Sequence, residues 1–300
     1  MKKILITGKT GTVGSNLHFG YGFSSKEVDL RNKQATNSLI KKELPSAIVH
    51  CAADVGGLKY HLEQRYNLYY NNVAINTNLI DAAKKYSIPR VLSYLSSCIY
   101  SDASPPPYTE KMLHDGEPVT IHYPYGYAKR MLEVHSRICY QEFGLKYNCI
   151  VPTNIYGIND DFSFERGHVV AMLIRRAYEA ATSGSDFIVW GDGKQIRDFI
   201  FTEDIARLTE WALYNYFECE PLIFSNSIPI EIGDIARLIA RKFNIENKIV
   251  FDVSKPSGQI ARSLSGNKLS SLLNFHFTSI EDGISKSVDW FIKNYPYVRI

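Results

Sequence analysis

No apolar run in this 300-residue sequence reaches the roughly eighteen residues that a bilayer-crossing helix needs. Met1-Lys2-Lys3 followed by Ile4-Leu5-Ile6-Thr7 imitates the start of a secretory leader, but Gly8-Lys9 ends the apolar stretch too early. Cysteine is scarce: five residues at 51, 98, 139, 149 and 219, an odd number with no CxxC pair. That excludes a disulfide framework and a zinc site, and the expected setting is a reducing cytoplasm with no bound metal. Charge of one sign is also missing. Lys+Arg number 34 against 31 Asp+Glu, a net +3 that argues against nucleic acid as a partner. No internal repeat and no low-complexity segment occurs. What is present, 45% hydrophobic and 22% charged residues, is the make-up of an ordinary globular chain. A chain this long can bury about three quarters of its unfolded surface.

Short β-branched runs alternate with helical stretches through the N-terminal half. Residues 3–7, 47–52, 90–95 and 148–152 read as buried strands, with a further candidate near 20–23. Residues 68–86 and 125–143 are long and amphipathic enough to be helices. Near-continuous apolar strands between helices predict an α/β fold, a Rossmann-type doubly wound parallel sheet covered on both faces. The interval before residue 20 is so short that the first helix must be truncated. Beyond residue 160 the alternation weakens, and 183–194 and 254–266 read as long loops. The expected division is a dinucleotide-binding domain over 1–160 and a smaller α/β substrate domain over 161–300, with 199–216 returning to the first.

Gly8-Lys9-Thr10-Gly11-Thr12-Val13-Gly14 directly follows the first strand. Glycines there permit a tight turn and let main-chain N–H groups approach a pyrophosphate at a helix N-terminus. The spacing is GxxGxxG, and its plain alternative is a strand-to-helix turn without a ligand. An NAD site places a carboxylate at the end of the second strand, whereas Phe23-Ser24-Ser25-Lys26 has none before Glu27. Hydroxyls and cations, with Lys9 close by, suit a 2′-phosphate, so NADPH is expected over NAD. Lys9 and Lys26 are equally readable as surface lysines.

Tyr125 and Lys129 stand four apart, on one helical face, and of twenty tyrosines only Tyr125 has a lysine at that spacing. A phenol titrates near 10 in water; a neighbouring ammonium and a cationic cofactor ring would favour its phenolate. Tyr127 faces away. Ser96 and Ser97 follow a candidate strand at its carboxyl end, where a hydroxyl can share the charge that develops on a carbonyl oxygen. The competing reading of both serines is a simple loop.

With these elements in order, the chain resembles the extended short-chain dehydrogenase/reductases. The resemblance rests on the glycine turn, Ala52-Ala53, the strand-end serine, the Tyr125/Lys129 pair and Asp29-Leu30, which in that family lies against the adenine. Within it the chain is similar to the GDP-L-fucose synthases, GDP-4-keto-6-deoxy-mannose 3,5-epimerase/4-reductases. The segments that carry this are Ala53-Asp54-Val55-Gly56-Gly57, Ser96-Ser97-Cys98-Ile99-Tyr100, Pro152-Thr153-Asn154-Ile155-Tyr156-Gly157, Val189-Trp190-Gly191-Asp192-Gly193 and Arg197-Asp198-Phe199. The resemblance covers essentially the whole chain.

It implies NADPH held by Gly8, Thr10, Gly11, Thr12, Val13, Gly14, Asp29, Leu30, Ala52, Ala53, Lys129 and His168. It also implies a GDP-linked 4-keto-deoxy-sugar against Ser97, Asn154, Arg176, Trp190, Arg197 and Lys255. A homodimer is expected through helices 68–86 and 125–143. Cys98 and His168 are implied to move the protons of epimerisation, beside reduction by Ser96, Tyr125 and Lys129. A 4-keto sugar has acidic C–H bonds at C3 and C5, and inversion needs a base on one face and an acid on the other. On their own, Cys98 reads as a small buried hydrophobe and His168 as a packed or surface residue. His114, His122 and His135 are read as structural or exposed, and Arg175 and Arg176 also fit a solvated helix face.

The chain departs from the pattern in two places. Thr10 and Ser25 stand where those synthases hold the 2′-phosphate with arginine, and Ser257 and Ile260-Ala261 replace an acidic residue and a Pro-Arg pair. Three alternatives stay open: a C4-reductase on a related heptose- or colitose-type GDP-sugar, a nucleotide-sugar 4-epimerase that retains NAD, and a non-catalytic NADP sensor.

Overall fold

The computed structural model describes residues 3–255 and 258–300. Met1 and Lys2 of the leader-like start, Pro256, and the departure at Ser257 lie outside the described residues. The chain runs β1 (Ile4–Thr7), α1 (Thr12–Asn16), β2 (Tyr21–Phe23), α2 (Lys33–Glu43), β3 (Ala47–His50), α3 (Leu58–Glu63), α4 (Arg65–Lys85) and β4 (Arg90–Tyr94). It continues through α5 (Tyr123–Phe143), β5 (Lys146–Pro152), β6 (Asn154–Tyr156), α6 (Val169–Ser183), β7 (Phe187–Trp190), β8 (Ile196–Phe201) and α7 (Thr202–Asn215). The remaining elements are β9 (Leu222–Phe224), β10 (Pro229–Glu231), α8 (Ile232–Phe243), β11 (Ile249–Asp252), β12 (Ala261–Arg262), α9 (Asn267–Leu272) and α10 (Ile280–Asn294).

Six parallel strands form the main sheet in the order β2-β1-β3-β4-β5-β9. Alternation along each strand decides which face a side chain serves. Leu5, Ile48 and Val91 point into one core with α2, α4 and α5. Ile4, Ile6, Val49 and Leu92 point into the other, against Leu17 and α7. Both faces are therefore buried, which is why the strands read as unbroken apolar runs. The first helix is only five residues long, ending where the Leu17 N–H bonds the Gly14 carbonyl.

Arg90 locks α7 to this sheet. Its guanidinium is buried and donates to the carbonyls of Leu213, Ala212 and Tyr216 at 3.2, 3.0 and 2.8 Å, and to that of Lys146 at 2.8 Å. These bonds tie the last turn of α7 to the start of β5.

A second core joins α6, α8 and α10 to β7 and β8. Its strands are short: β10, β12 and β6 all pair with β8, and β7 pairs in parallel with β11. Two expected loops are thus partly strands. The stretch 183–194 contains β7, and 254–266 contains β12. Each strand is too brief, and too closely flanked by turn residues, to show its period in sequence. Among the described residues no helix is long and apolar enough to cross a membrane.

Candidate active site

The carboxyl ends of β1, β3 and β4 open onto one cavity of about 900 Å3, roofed by the start of α6 and by β8. The turn after β1 is tight because glycine is required in it. Gly8 has φ +66°, and a Cβ there would lie 2.8 Å from the Ala52 nitrogen; one on Gly14 would meet the Gly8 carbonyl oxygen at 2.2 Å. Thr10, Gly11, Thr12 and Val13 line the cavity with them, as do Asp29, Leu30, Ala52 and Ala53.

Lys9 does not serve this cavity. Its ammonium turns back to the carbonyls of Gly14, at 3.2 Å, and Leu17, closing the end of the truncated α1. The cation facing the cavity beyond β2 is Arg31, which lies on the wall with Ser25. Arg31 holds Asp29 through a 2.8 Å ion pair and keeps that carboxylate below its usual range.

Ser96 caps the 3-10 turn Ser97–Ile99, its Oγ accepting from the Cys98 N–H at 3.2 Å. This capping bond aims Cys98 into a small buried cluster with Tyr125 and Leu68. Tyr125 is 4% exposed, and burial, with the Cys98 and Asp54 charges behind it, pushes its phenol well above 10. Lys129 is buried too: its ammonium donates to the Tyr94 carbonyl at 2.7 Å and stands 5.6 Å from the Tyr125 ring centre. Burial lowers it to about 8. Without the positive charge of a cofactor ring, burial outweighs the neighbouring ammonium and the phenol stays protonated.

His168 is the N-cap residue of α6 and makes no side-chain cap bond, so its imidazole is left on the cavity wall. A strap holds it across from the β3 end. Arg166 donates to Asp54 at 2.7 Å, the Gly57 N–H bonds the Arg166 carbonyl at 2.8 Å, and the guanidinium lies 4.3 Å from the Tyr60 ring centre.

Asn154, Arg176, Trp190 and Arg197 also line the cavity, with Ser97. Arg176 stacks over Trp190 at 4.6 Å, and burial lowers Arg197 to about 9, with Arg262 adding to the shift. Arg175 instead pairs with Glu179 at 2.9 Å and is not on the wall. Lys255 lies off it as well, exposed on the turn after β11.

Several wall residues carry no local sequence signal. Arg262 is in register with Arg197 across the β12–β8 pair and points one guanidinium nitrogen at the Cys98 sulfur, 3.5 Å away. It directly follows Ile260-Ala261, where the arginine of the family's pattern is absent. His122 is corrected from a structural or exposed residue to a cavity residue. It stands edge to face with His61, ring centres 4.4 Å apart, and His61 is 5.5 Å from the Tyr125 ring. Burial holds His61 at about 3 and His122 at about 2, and the Nδ1 atoms of both are buried without a partner. A histidine whose neighbours come from another helix is recognisable only in three dimensions. His114 is bonded to Glu133 at 2.7 Å.

The cavity thus collects a turn fit for a dinucleotide, a protonated phenol beside an amine, a thiol, an exposed imidazole and two buried guanidinium groups. The NAD dependent epimerase/dehydratase family model matches residues 21–223. A GDP-L-fucose synthase of Dictyostelium discoideum is 35% identical over 99% of this chain and 98% of its own length. The crystal structure of a GDP-L-fucose synthetase from Naegleria fowleri bound to NADP superposes with a TM-score of 0.92 at 32% identity, covering 100% of this chain and 96% of that one. A GDP-6-OMe-4-keto-L-xylo-heptose reductase from C. jejuni shares the fold, with a TM-score of 0.90 at 21% identity over 98% of each chain. The chain belongs to the NAD dependent epimerase/dehydratase family of extended short-chain dehydrogenase/reductases, and its relatives there include GDP-L-fucose synthases.

Proposed function

We propose that this chain is an NADPH-dependent epimerase and C4-reductase of a GDP-linked 4-keto-6-deoxy-sugar. The observation that carries the reading is the convergence of Cys98, His168 and Tyr125 on one cavity beside the glycine turn. Cys98 removes a proton from the carbon next to the ketone, and the charge spreads onto the ketone oxygen as an enolate. His168 returns a proton to the other face, which inverts the centre. NADPH, when bound, supplies hydride to C4. Tyr125 then donates its proton to the oxygen that becomes the C4 hydroxyl, while Ser96 hydrogen-bonds that oxygen. Lys129 sets the field around the phenol. Arg197 and Arg262, buried side by side, match the substrate's diphosphate in charge and fork geometry.

The wall suits NADPH better than NAD. Arg31, which also pairs with Asp29, and Ser25 offer a guanidinium and a hydroxyl to a 2′-phosphate. A homodimer fits the surface: Tyr66, Tyr69 and Tyr70 of α4 and Met131, Val134 and Ile138 of α5 are exposed. A cytoplasmic setting agrees with five free cysteines.

The test is incubation with NADPH and GDP-4-keto-6-deoxy-mannose in D2O, followed by mass analysis. The expected product is reduced and carries solvent deuterium on carbon, and Cys98→Ser or His168→Gln removes the deuterium. Reduced product without deuterium would leave a plain C4-reductase. Inversion at C4 of a GDP-hexose that carries a C4 hydroxyl, with no net NADPH oxidation, would make the chain an NAD-retaining 4-epimerase.

A further inference from the structure

The segment after α10 returns to the glycine turn. Val298 is buried in the second core, the Phe162 N–H bonds the Arg299 carbonyl at 2.8 Å, and Asp161 and Arg299 form a parallel bridge. The backbone of residue 299 is therefore anchored, and its side chain reaches the cavity wall. There the guanidinium donates to Thr12 Oγ1 at 2.6 Å and to the Asn159 carbonyl at 2.8 Å, and lies 3.5 Å from the Thr10 carbonyl. Thr10 and Thr12 flank Gly11, the middle of the turn.

Arg299 has no ion pair with a carboxylate among the described residues. A neighbouring acid, Asp160, accepts from Thr12 at 3.0 Å and leaves its other oxygen buried and unpartnered. Burial pushes that carboxyl upward, against the pull of the His168 and Arg299 charges. The turn thus carries a cation that no carboxylate pairs directly among the described residues, facing the dinucleotide end of the cavity. A five-residue α1 has few aligned peptides, so its dipole adds little to the attraction of an anion.

We propose that Arg299 binds the cofactor's diphosphate, supplying from the far end of the sequence the positive charge that the short α1 lacks. This rests on the NADPH reading. The two Thr contacts hold the guanidinium at the turn before the anion arrives, so ordering it costs little on binding.

The test is fluorescence titration of wild type, Arg299→Gln and Arg299→Lys with NADPH and NADH, alongside thermal unfolding of each cofactor-free protein. The diphosphate is common to both nucleotides. Arg299→Gln should weaken both by the same factor, about tenfold for the loss of a charge-assisted bond. Arg299→Lys should recover part of it, with the cofactor-free melting temperature of either variant near wild type. Weaker NADPH alone would assign Arg299 to the 2′-phosphate and overturn the proposal. So would a lowered melting temperature with unchanged affinities, which would mark a purely structural tie. If wild type bound neither nucleotide, the cofactor reading itself would fall, and this one with it.

Discussion

The Lys129 ammonium donates to the Tyr94 main-chain oxygen at 2.7 Å, in a site where burial lowers it to about 8. One carbonyl is a poor exchange for water around a full charge. In the unfolded chain the same lysine titrates near 10.4. Between about pH 8 and 10.4 the unfolded state therefore binds the extra proton, and this group's contribution to stability rises with pH. Below pH 8 its penalty is constant. Because buried cysteines and tyrosines titrate in the opposite sense, the difference between wild type and Lys129→Met isolates the effect. In urea melts of the cofactor-free proteins, the variant's stability relative to wild type should fall from pH 8 to 10. A difference independent of pH would refute this account of Lys129.

His61 and His122 give the mirror case on the acid side. Their folded values, about 3 and 2, lie far below the ordinary 6.5. As pH falls below 6.5 the unfolded imidazoles take up protons while the folded ones stay neutral, so stability is lost down to about pH 3. His50, at about 3 with bonds to Thr7 and Asn76, behaves alike. The double variant His61→Asn/His122→Asn should have a shallower loss of urea midpoint between pH 6.5 and 4. Equal slopes would mean that the two rings charge inside the fold.

Tyr125→Phe keeps the ring and removes the proton. Reduction of the ketone should fall by at least about a hundredfold. Deuterium exchange at the carbon next to the ketone, which uses Cys98 and His168, should remain measurable. Unchanged NADPH oxidation would take Tyr125 out of the reduction.

Gly14→Ala places a Cβ 2.2 Å from the Gly8 oxygen, a clash between two main-chain segments that no side-chain rotation relieves. The turn must open, and NADPH affinity should drop at least about tenfold. A variant that folds with wild-type affinity would show that the turn does not touch the cofactor.

How far these residues could be read in sequence follows from how local their geometry is. The glycine turn, the capping serine with Cys98 and the Tyr125/Lys129 face are set by spacings of seven residues or fewer, and the apolar strands by burial on both sheet faces. The truncated α1 followed from the distance between two strands. Lys9 stays open in sequence because a cation near a turn has two equally close destinations, the ligand and the helix end. Arg166, Arg262 and Arg299 reach partners more than one hundred residues away. Strand β7 hid because four residues hold only two turns of the strand period.

The wall of the cavity is interleaved along the chain. Cys98 and Tyr125 sit at the ends of elements packed on the six-stranded sheet, whereas His168 and Arg197 belong to elements around the second core. Under the proposed chemistry, inversion draws its two proton carriers from elements around different cores, and reduction shares its acid with the same cluster. Neither half of the reaction occupies a separable piece of the gene. A lineage could shed epimerisation only by exchanging single side chains such as Cys98, never by losing a domain, and a reductase arising that way would keep this whole architecture.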